Sequence, residues 1–172
     1  MSNYHEQLAP YAKRIRNLLS AGSVDEQSGQ LCECVSDMLN DQKLVDTVLP
    51  DREPGAHPRE VLYEDPELKF CICGHVYAGE AVGEPHDHGP SWAIYGQASG
   101  TTEMTDWKIV QKADANHPNL VEPVRTYTLS PGNSHYYAIG AVHSPNRARP
   151  VKLIRIEGEN LDHIQRSPIR AK

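Results

Sequence analysis

The stretch Phe70-Cys-Ile-Cys-Gly-His-Val-Tyr77, continued through Ala78-Gly-Glu-Ala-Val-Gly83-Glu-Pro-His86-Asp-His88-Gly-Pro90-Ser-Trp-Ala-Ile-Tyr95, carries most of what can be read about this chain. It opens on a β-prone apolar run and breaks at Gly83-Glu84-Pro85. It then presents a His-x-His pair and returns to a second β-prone run. The same rhythm extends outward in both directions. Val61–Tyr63, Phe70–Tyr77, Trp92–Tyr95, Met104–Val110, Val124–Leu129, Tyr136–Ile139 and Val151–Ile156 are short β-prone runs. Turn clusters such as Asp65-Pro66 and Ser130-Pro131-Gly132-Asn133 separate them. Short strands at this spacing predict an all-β sandwich or barrel.

Upstream the period changes. Leu8, Tyr11, Ile15, Leu18 and Leu19 recur three and four apart, as on one helix face over residues 4–20. Ser23 with Glu26 forms a capping box for a second helix carrying Leu31, Val35, Met38 and Leu39. Leu44, Val45 and Val48 fit a third, short helix, and Pro50 stops the region. Pro54, Gly55 and Pro58 mark residues 51–58 as a linker. The expected organisation is a helical extension, 1–56, packed on a β-barrel, 57–172, as one compact domain. A length of 172 residues suits that size. The charged tail after Gly158, with Pro168, reads as a surface strap.

The net charge is −6 and no run of Lys and Arg follows a phosphate backbone, which argues against nucleic acid as a partner. No apolar run approaches the roughly 20 residues that span a bilayer. Met1-Ser-Asn-Tyr-His-Glu6 lacks the basic start and apolar stretch of an export signal, so the expected location is cytoplasmic. Cys32/Cys34 and Cys71/Cys73 read as free thiols used for packing, with soft-metal binding by each Cys-x-Cys pair as the alternative.

On a strand, residues i and i+2 point to one side, so His86 and His88 can aim two imidazoles at one point inside a barrel. Imidazole suits iron, zinc, nickel and copper, and an all-nitrogen set leaves positions open for water, oxygen or substrate. The competing reading is a pair of exposed turn histidines beside Glu84 and Asp87. A third ligand strengthens the metal reading. His143, in Gly140-Ala-Val-His143, follows a β-prone run and a glycine turn, so that a next strand carries it back beside the pair. His135, in Pro131-Gly-Asn-Ser-His135, competes for that role. His5, His57, His75, His117 and His163 are scattered. Trp92, Tyr95, Tyr127, Tyr136 and Tyr137 either pack the barrel or line a pocket, and Trp92 stands four residues past His88.

With these residues in view, the sequence resembles the cupin superfamily, and within it the thiol dioxygenases of the cysteine dioxygenase type. Beyond His86-Asp-His88, Gly100-Thr-Thr-Glu-Met-Thr-Asp-Trp107 resembles the family's glycine turn and following strand. Arg59-Glu-Val-Leu-Tyr-Glu-Asp-Pro-Glu-Leu-Lys-Phe70 resembles the segment whose arginine binds the substrate carboxylate. The likeness covers most of residues 57–156. It implies a mainly β cupin jelly-roll barrel after N-terminal helices, with Fe(II) held by His86, His88 and His143. Zn, Ni or Mn are the alternative metals.

The resemblance further implies a small-molecule thiol or related carboxylate and O2 as partners, with a sulfinic acid as product. Arg59 would hold the carboxylate, with His57, Trp92 and Tyr95 near the substrate. The other reading of Arg59 is a salt bridge to Glu60 or Glu64. Neither nucleic acid nor membrane is expected, and a homodimer is compatible. Two departures stand out. Where cupins carry a glutamate and mammalian cysteine dioxygenases a cysteine, this chain has Ala93. The family's Ser-His-Tyr set, spaced two apart, has no match in Val151-Lys-Leu-Ile-Arg-Ile156. Those departures keep two alternatives open: a three-histidine dioxygenase that cleaves a carbon–carbon bond of a diketone or aromatic ketone, and a non-catalytic metal-binding cupin.

Overall fold

The computed structural model describes residues 4–172. Met1–Asn3, part of the N-terminal stretch read above, and the side chains of Tyr4 and His5 lie outside what is described. Three helices come first: α1, Tyr4–Ala21; α2, Val24–Asn40; and α3, Gln42–Val48. The capping box is present, Ser23 and Glu26 each satisfying the other's backbone N–H. Asp41 starts α3 by accepting the Leu44 N–H at 3.0 Å.

Ten strands follow: β1, Arg59–Glu64; β2, Cys71–Tyr77; β3, Ala81–Val82; β4, Ala93–Ser99; β5, Thr102–Gln111; β6, Asn119–Leu129; β7, Ser134–Tyr137; β8, Val142–Arg147; β9, Val151–Glu157; and β10, Ile169–Ala171. They form two five-stranded sheets, in the orders β1-β2-β9-β4-β7 and β10-β6-β5-β8-β3. Setting aside the edge strands β1 and β10, the eight strands run 2-9-4-7 in one sheet and 3-8-5-6 in the other. That order is the jelly roll, two Greek keys rolled together so that two sheets face each other. The fold is therefore mainly β, with α-helices at the N-terminal end.

Why the sheet of β2, β9 and β4 reads as unbroken apolar runs becomes clear from its two covered faces. Ile72, Ile94, Ile154 and Ile156 pack outward in one core with Leu8, Ile15, Val35 and Met38 of the helices. Ala93, Tyr95 and Leu153 point the other way, into a second core with Met104, Leu129 and Tyr137. A strand buried on both faces has no polar side to alternate. The helices are seated closely. At Gly96 an added Cβ would stand 2.4 Å from a Val35 methyl and 3.2 Å from both the Ile154 carbonyl and a Leu39 methyl. Asp65, fully buried, ties α1 to the β1–β2 turn by accepting from Arg16 (2.8 Å), Tyr63 (3.1 Å) and the backbone of Glu67 and Leu68.

Two strands were not legible in the sequence, and β8, expected only as the strand that returns His143, has no legible bounds because Pro145 and Asn146 are poor strand formers. β3 is two residues long, and β10 belongs to the tail, where Ile169–Ala171 pairs in parallel with Asn119–Val121. The cysteines are free, and Cys34, Cys71 and Cys73 are buried. Burial pushes the Cys34 thiol up to about 11 and Cys71 to about 12, the behaviour of packing residues rather than reactive thiols. No helix of the described residues is long and apolar enough to cross a membrane.

Replacing Gly96 with Ala must push α2 off β4 or distort the strand. Overpacking of this kind costs about 1–3 kcal/mol. Chemical denaturation of Gly96→Ala is expected to show that loss with an unchanged slope, whereas wild-type stability would show that the helices do not press on β4.

Candidate metal centre

The His86–His88 segment is not a regular strand. Only His86 pairs, as a single antiparallel bridge to His143: each backbone N–H donates to the other's carbonyl at 3.0 Å. His88 lies in the loop that leads to β4. On β8 the buried residues His143, Pro145 and Arg147 alternate with Ser144 and the exposed Asn146. Ala81 pairs with Arg147 and Val82 with Asn146, but His86 pairs with His143. The register has slipped by one residue across Gly83-Glu84-Pro85. A one-residue slip turns a strand over. Without it, Asp87 would face the barrel; with it, His86 and His88 do.

Asp87 instead faces away, and its Oδ1 accepts the backbone N–H of Gly89 (3.1 Å) and Ser167 (3.2 Å). The tail thereby straps the loop. Gly89 has φ of +59°, and a Cβ there would meet an Ile164 methyl at 2.7 Å, so both backbone and space require glycine.

One ligand atom from each of His86, His88 and His143 lies within 4.8 Å of the other two. His143 and His88 are fully buried, and Tyr137 stacks on the His143 ring at 4.0 Å. The Nδ1 of His86 faces the Glu84 carbonyl at 2.8 Å. A carbonyl only accepts, so Nδ1 carries the proton and the Nε2 lone pair is left for the centre. The Nδ1 of His143 is buried and leans toward the Ala141 carbonyl without reaching full hydrogen-bond geometry. Burial lowers the His86 pKa to about 4; burial and neighbouring histidines hold His88 and His143 well below the usual range. All three are neutral imidazoles at neutral pH, the form that ligates metals. Donor type, convergence and protonation state thus fit a divalent ion.

Tyr95 stands inside this group. Its hydroxyl oxygen is 3.1 Å from His88 Nε2, 3.2 Å from His143 Nε2 and 3.0 Å from Nη1 of Arg155, which donates to it. His86 and Tyr95 border a cavity of about 490 Å³ whose wall also carries Tyr77, Arg147, Arg155 and Arg166.

Of the other expected site residues, His57 and Arg59 reach the cavity wall. Arg59 is not free for a ligand. It donates to Glu157 at 2.7 Å and to Asn160 at 3.1 Å, and pairs with Asp162 at 2.7 Å. Its partners are not the expected Glu60, which pairs with Arg52, or Glu64. Arg155 donates to the same Glu157 carboxylate. Burial opposes ionisation of Glu157, but the two arginines prevail and keep its pKa below the usual range. Trp92 packs in the helix-facing core and against Gly158, away from the cavity. His135 lies between Tyr127 and Tyr137, with ring centroids at 4.9 and 4.7 Å, outside the histidine group. Tyr127 and Tyr137 bond through their hydroxyls at 2.7 Å, and Tyr136 donates to Asp25 on α2.

Arg147 was missed from the sequence. It is 95% buried by its relative exposure of 5%, lies over the Tyr77 ring at 4.3 Å, and its Nε has no hydrogen-bond partner among the described residues. Burial lowers its pKa from the ordinary value, yet arginine stays charged at any physiological pH. The signal was available: Arg147 is four residues past His143, hence on the same face of the strand expected to carry that histidine, had the strand been continued past Pro145.

No family model matches the sequence, and no curated protein does. Among solved structures, KdgF from a Halomonas species is 21% identical, covering 70% of this chain and 86% of its own, with a TM-score of 0.43. A double-stranded β-helix protein from Klebsiella pneumoniae is 14% identical, covering 73% and 88%, at 0.49. The DMSP lyase DddQ from Ruegeria pomeroyi is 14% identical, covering 64% and 50%, at 0.44. The strand order is that of a jelly roll, and the three histidines converge within it.

His86→Ala, His88→Ala and His143→Ala are each expected to lower bound metal from near one ion per chain to a small fraction, by elemental analysis after anaerobic reconstitution. His135→Ala is expected to leave it unchanged. Equal loss in all four variants would place the ion elsewhere.

Proposed function

We propose that this protein is an iron(II)-dependent dioxygenase acting on a small anionic substrate, with a thiol-carboxylate as the leading class. One observation carries the reading: three neutral imidazoles without a carboxylate converge beside a cavity in which the buried Nε of Arg147 has no hydrogen-bond partner among the described residues. An all-nitrogen set suits a redox-active divalent ion that must keep positions open.

Iron held by His86, His88 and His143 would supply electrons for dioxygen activation and positions for the sulfur and the oxygen. The chain does the rest. Arg147 binds the carboxylate through a charge-assisted pair that also relieves its own unmet bonding. Arg59, the residue the family resemblance pointed to, is committed to Glu157 and Asp162 and acts as scaffold. Tyr77 supports the Arg147 guanidinium from its ring face. The His75 Nε2, also buried and unpartnered, offers one further polar contact on the cavity wall. Both oxygen atoms of O2 pass to sulfur, so thiol plus dioxygen gives sulfinic acid with no outside reductant.

A second reading has its own support. On β9 the inward positions, two apart, are Leu153, Arg155 and Glu157, where the resemblance would have Ser, His and Tyr. That substitution favours carbon–carbon cleavage of an anionic diketone or aromatic ketone at the same centre.

Oxygen uptake by anaerobically iron-loaded protein separates these outcomes. Uptake with 3-mercaptopropionate or cysteine but not cysteamine, and a sulfinate by mass spectrometry, is expected. Arg147→Gln should raise KM by about 10–100-fold, the worth of one charge-assisted bond, with iron content unchanged. Scission products from a diketone panel would select the second reading. No uptake with any member of either panel would defeat both.

A further inference from the structure

We infer that the Tyr95 oxygen is a fourth protein ligand of the metal, making the centre three imidazoles and one phenolate. The inference rests on the metal reading above but adds to it, since three histidines alone would satisfy that reading.

The geometry comes from β4. Its inward positions are Ala93 and Tyr95, two residues on and on the same face. Ala93 has no donor to offer. Tyr95 reaches past it, and its oxygen stands 3.1 and 3.2 Å from two of the three ligand nitrogens. Two ligands about 2.1 Å from one ion and near a right angle are themselves about 3 Å apart, so these spacings suit neighbouring positions on one ion. Tyr95 is 2% exposed, and its ring is held edge-on by Tyr137 at 5.1 Å, leaving the hydroxyl little freedom to swing away.

Hydrogen bonding points the same way. Arg155 donates to the oxygen at 3.0 Å. A phenol has one proton to give, while His88 and His143 both turn Nε2 toward it. When both nitrogens bear the lone pairs that ligation needs, that one proton cannot serve both. A cation among the three atoms satisfies all of them at once. On binding, the hydroxyl proton leaves to solvent and a metal–oxygen bond forms. The Arg155 guanidinium, over the Tyr95 ring at 5.1 Å and anchored by Glu157, supports the negative oxygen.

The alternative is that the hydroxyl only hydrogen-bonds the histidines in the ion-free protein. The test is optical. Protein loaded with one equivalent of Fe(II) and then oxidised to Fe(III) is expected to show a visible phenolate-to-iron charge-transfer band and the matching phenolate modes in resonance Raman. Tyr95→Phe, which keeps the ring, should lose both while retaining one histidine-bound iron per chain. It should also bind Fe(II) at least about tenfold more weakly in competition with a chelator, with circular dichroism confirming the fold. Iron bound at wild-type affinity with no such band, and no change in Tyr95→Phe, would overturn the Tyr95 ligand and leave the three-histidine site standing. Failure of the wild type to take up iron would overturn both. A band that persists in Tyr95→Phe would assign it to another tyrosine and overturn the inference.

Discussion

The convergence of the three histidines depends on a one-residue slip in backbone register. β3 and β8 pair with one register at Ala81 and Val82, and the chain returns to β8 at His86 with another. Because a strand's side chains alternate, that single residue decides whether Asp87 or its two histidine neighbours face the interior. The slip is absorbed by Gly83-Glu84-Pro85. At Gly83 an added Cβ would collide with the Pro145 ring at 2.8 Å. The outward-facing Asp87 then ties the loop to the tail, so the same slip that exposes the ligands to each other also fastens the strap that covers their loop.

Behind the ligands lies a row of buried charge. Arg59, Glu157, Arg155 and Tyr95 are linked in sequence from the cavity wall to the histidines. Burying charges costs several kcal/mol per ion before pairing offsets it, so such a row is weak as a source of stability. Its consequence is orientation. Glu157 neutralises and positions two arginines, and Arg155 in turn fixes the Tyr95 oxygen. Arg147, by contrast, has no acid partner among the described residues. An overall acidic chain thus keeps a pocket in which Arg59, Arg147, Arg155 and Arg166 outnumber Glu84 and Asp162.

Much of the architecture could be read from local pattern. The Ser23–Glu26 capping box, the helical spacing of Leu31, Val35 and Met38, and most of the β-prone runs each depend on neighbours within a few residues, which a linear sequence displays directly. β10 and the far half of β8 escaped because their pairing comes from distant partners: Pro145 and Asn146 would not form a strand unless β5 supplied the hydrogen bonds on one side. Arg59 was read from its place in a family-like segment. Its commitment to Glu157, nearly a hundred positions away, has no local trace.

From sequence alone came the residue types and the order of elements: three histidines as candidate nitrogen donors, an alanine where the resemblance implies a carboxylate, helices followed by short strands. Folding decided what those residues do. It turned His86 and His88 inward by a register slip, brought His143 across a bridge to meet them, paired Arg59 with an acid and left Arg147 without one. Residue identity is a property of the chain, but direction and partnership depend on register and on contacts between residues far apart in sequence, and these exist only once the sheets have closed.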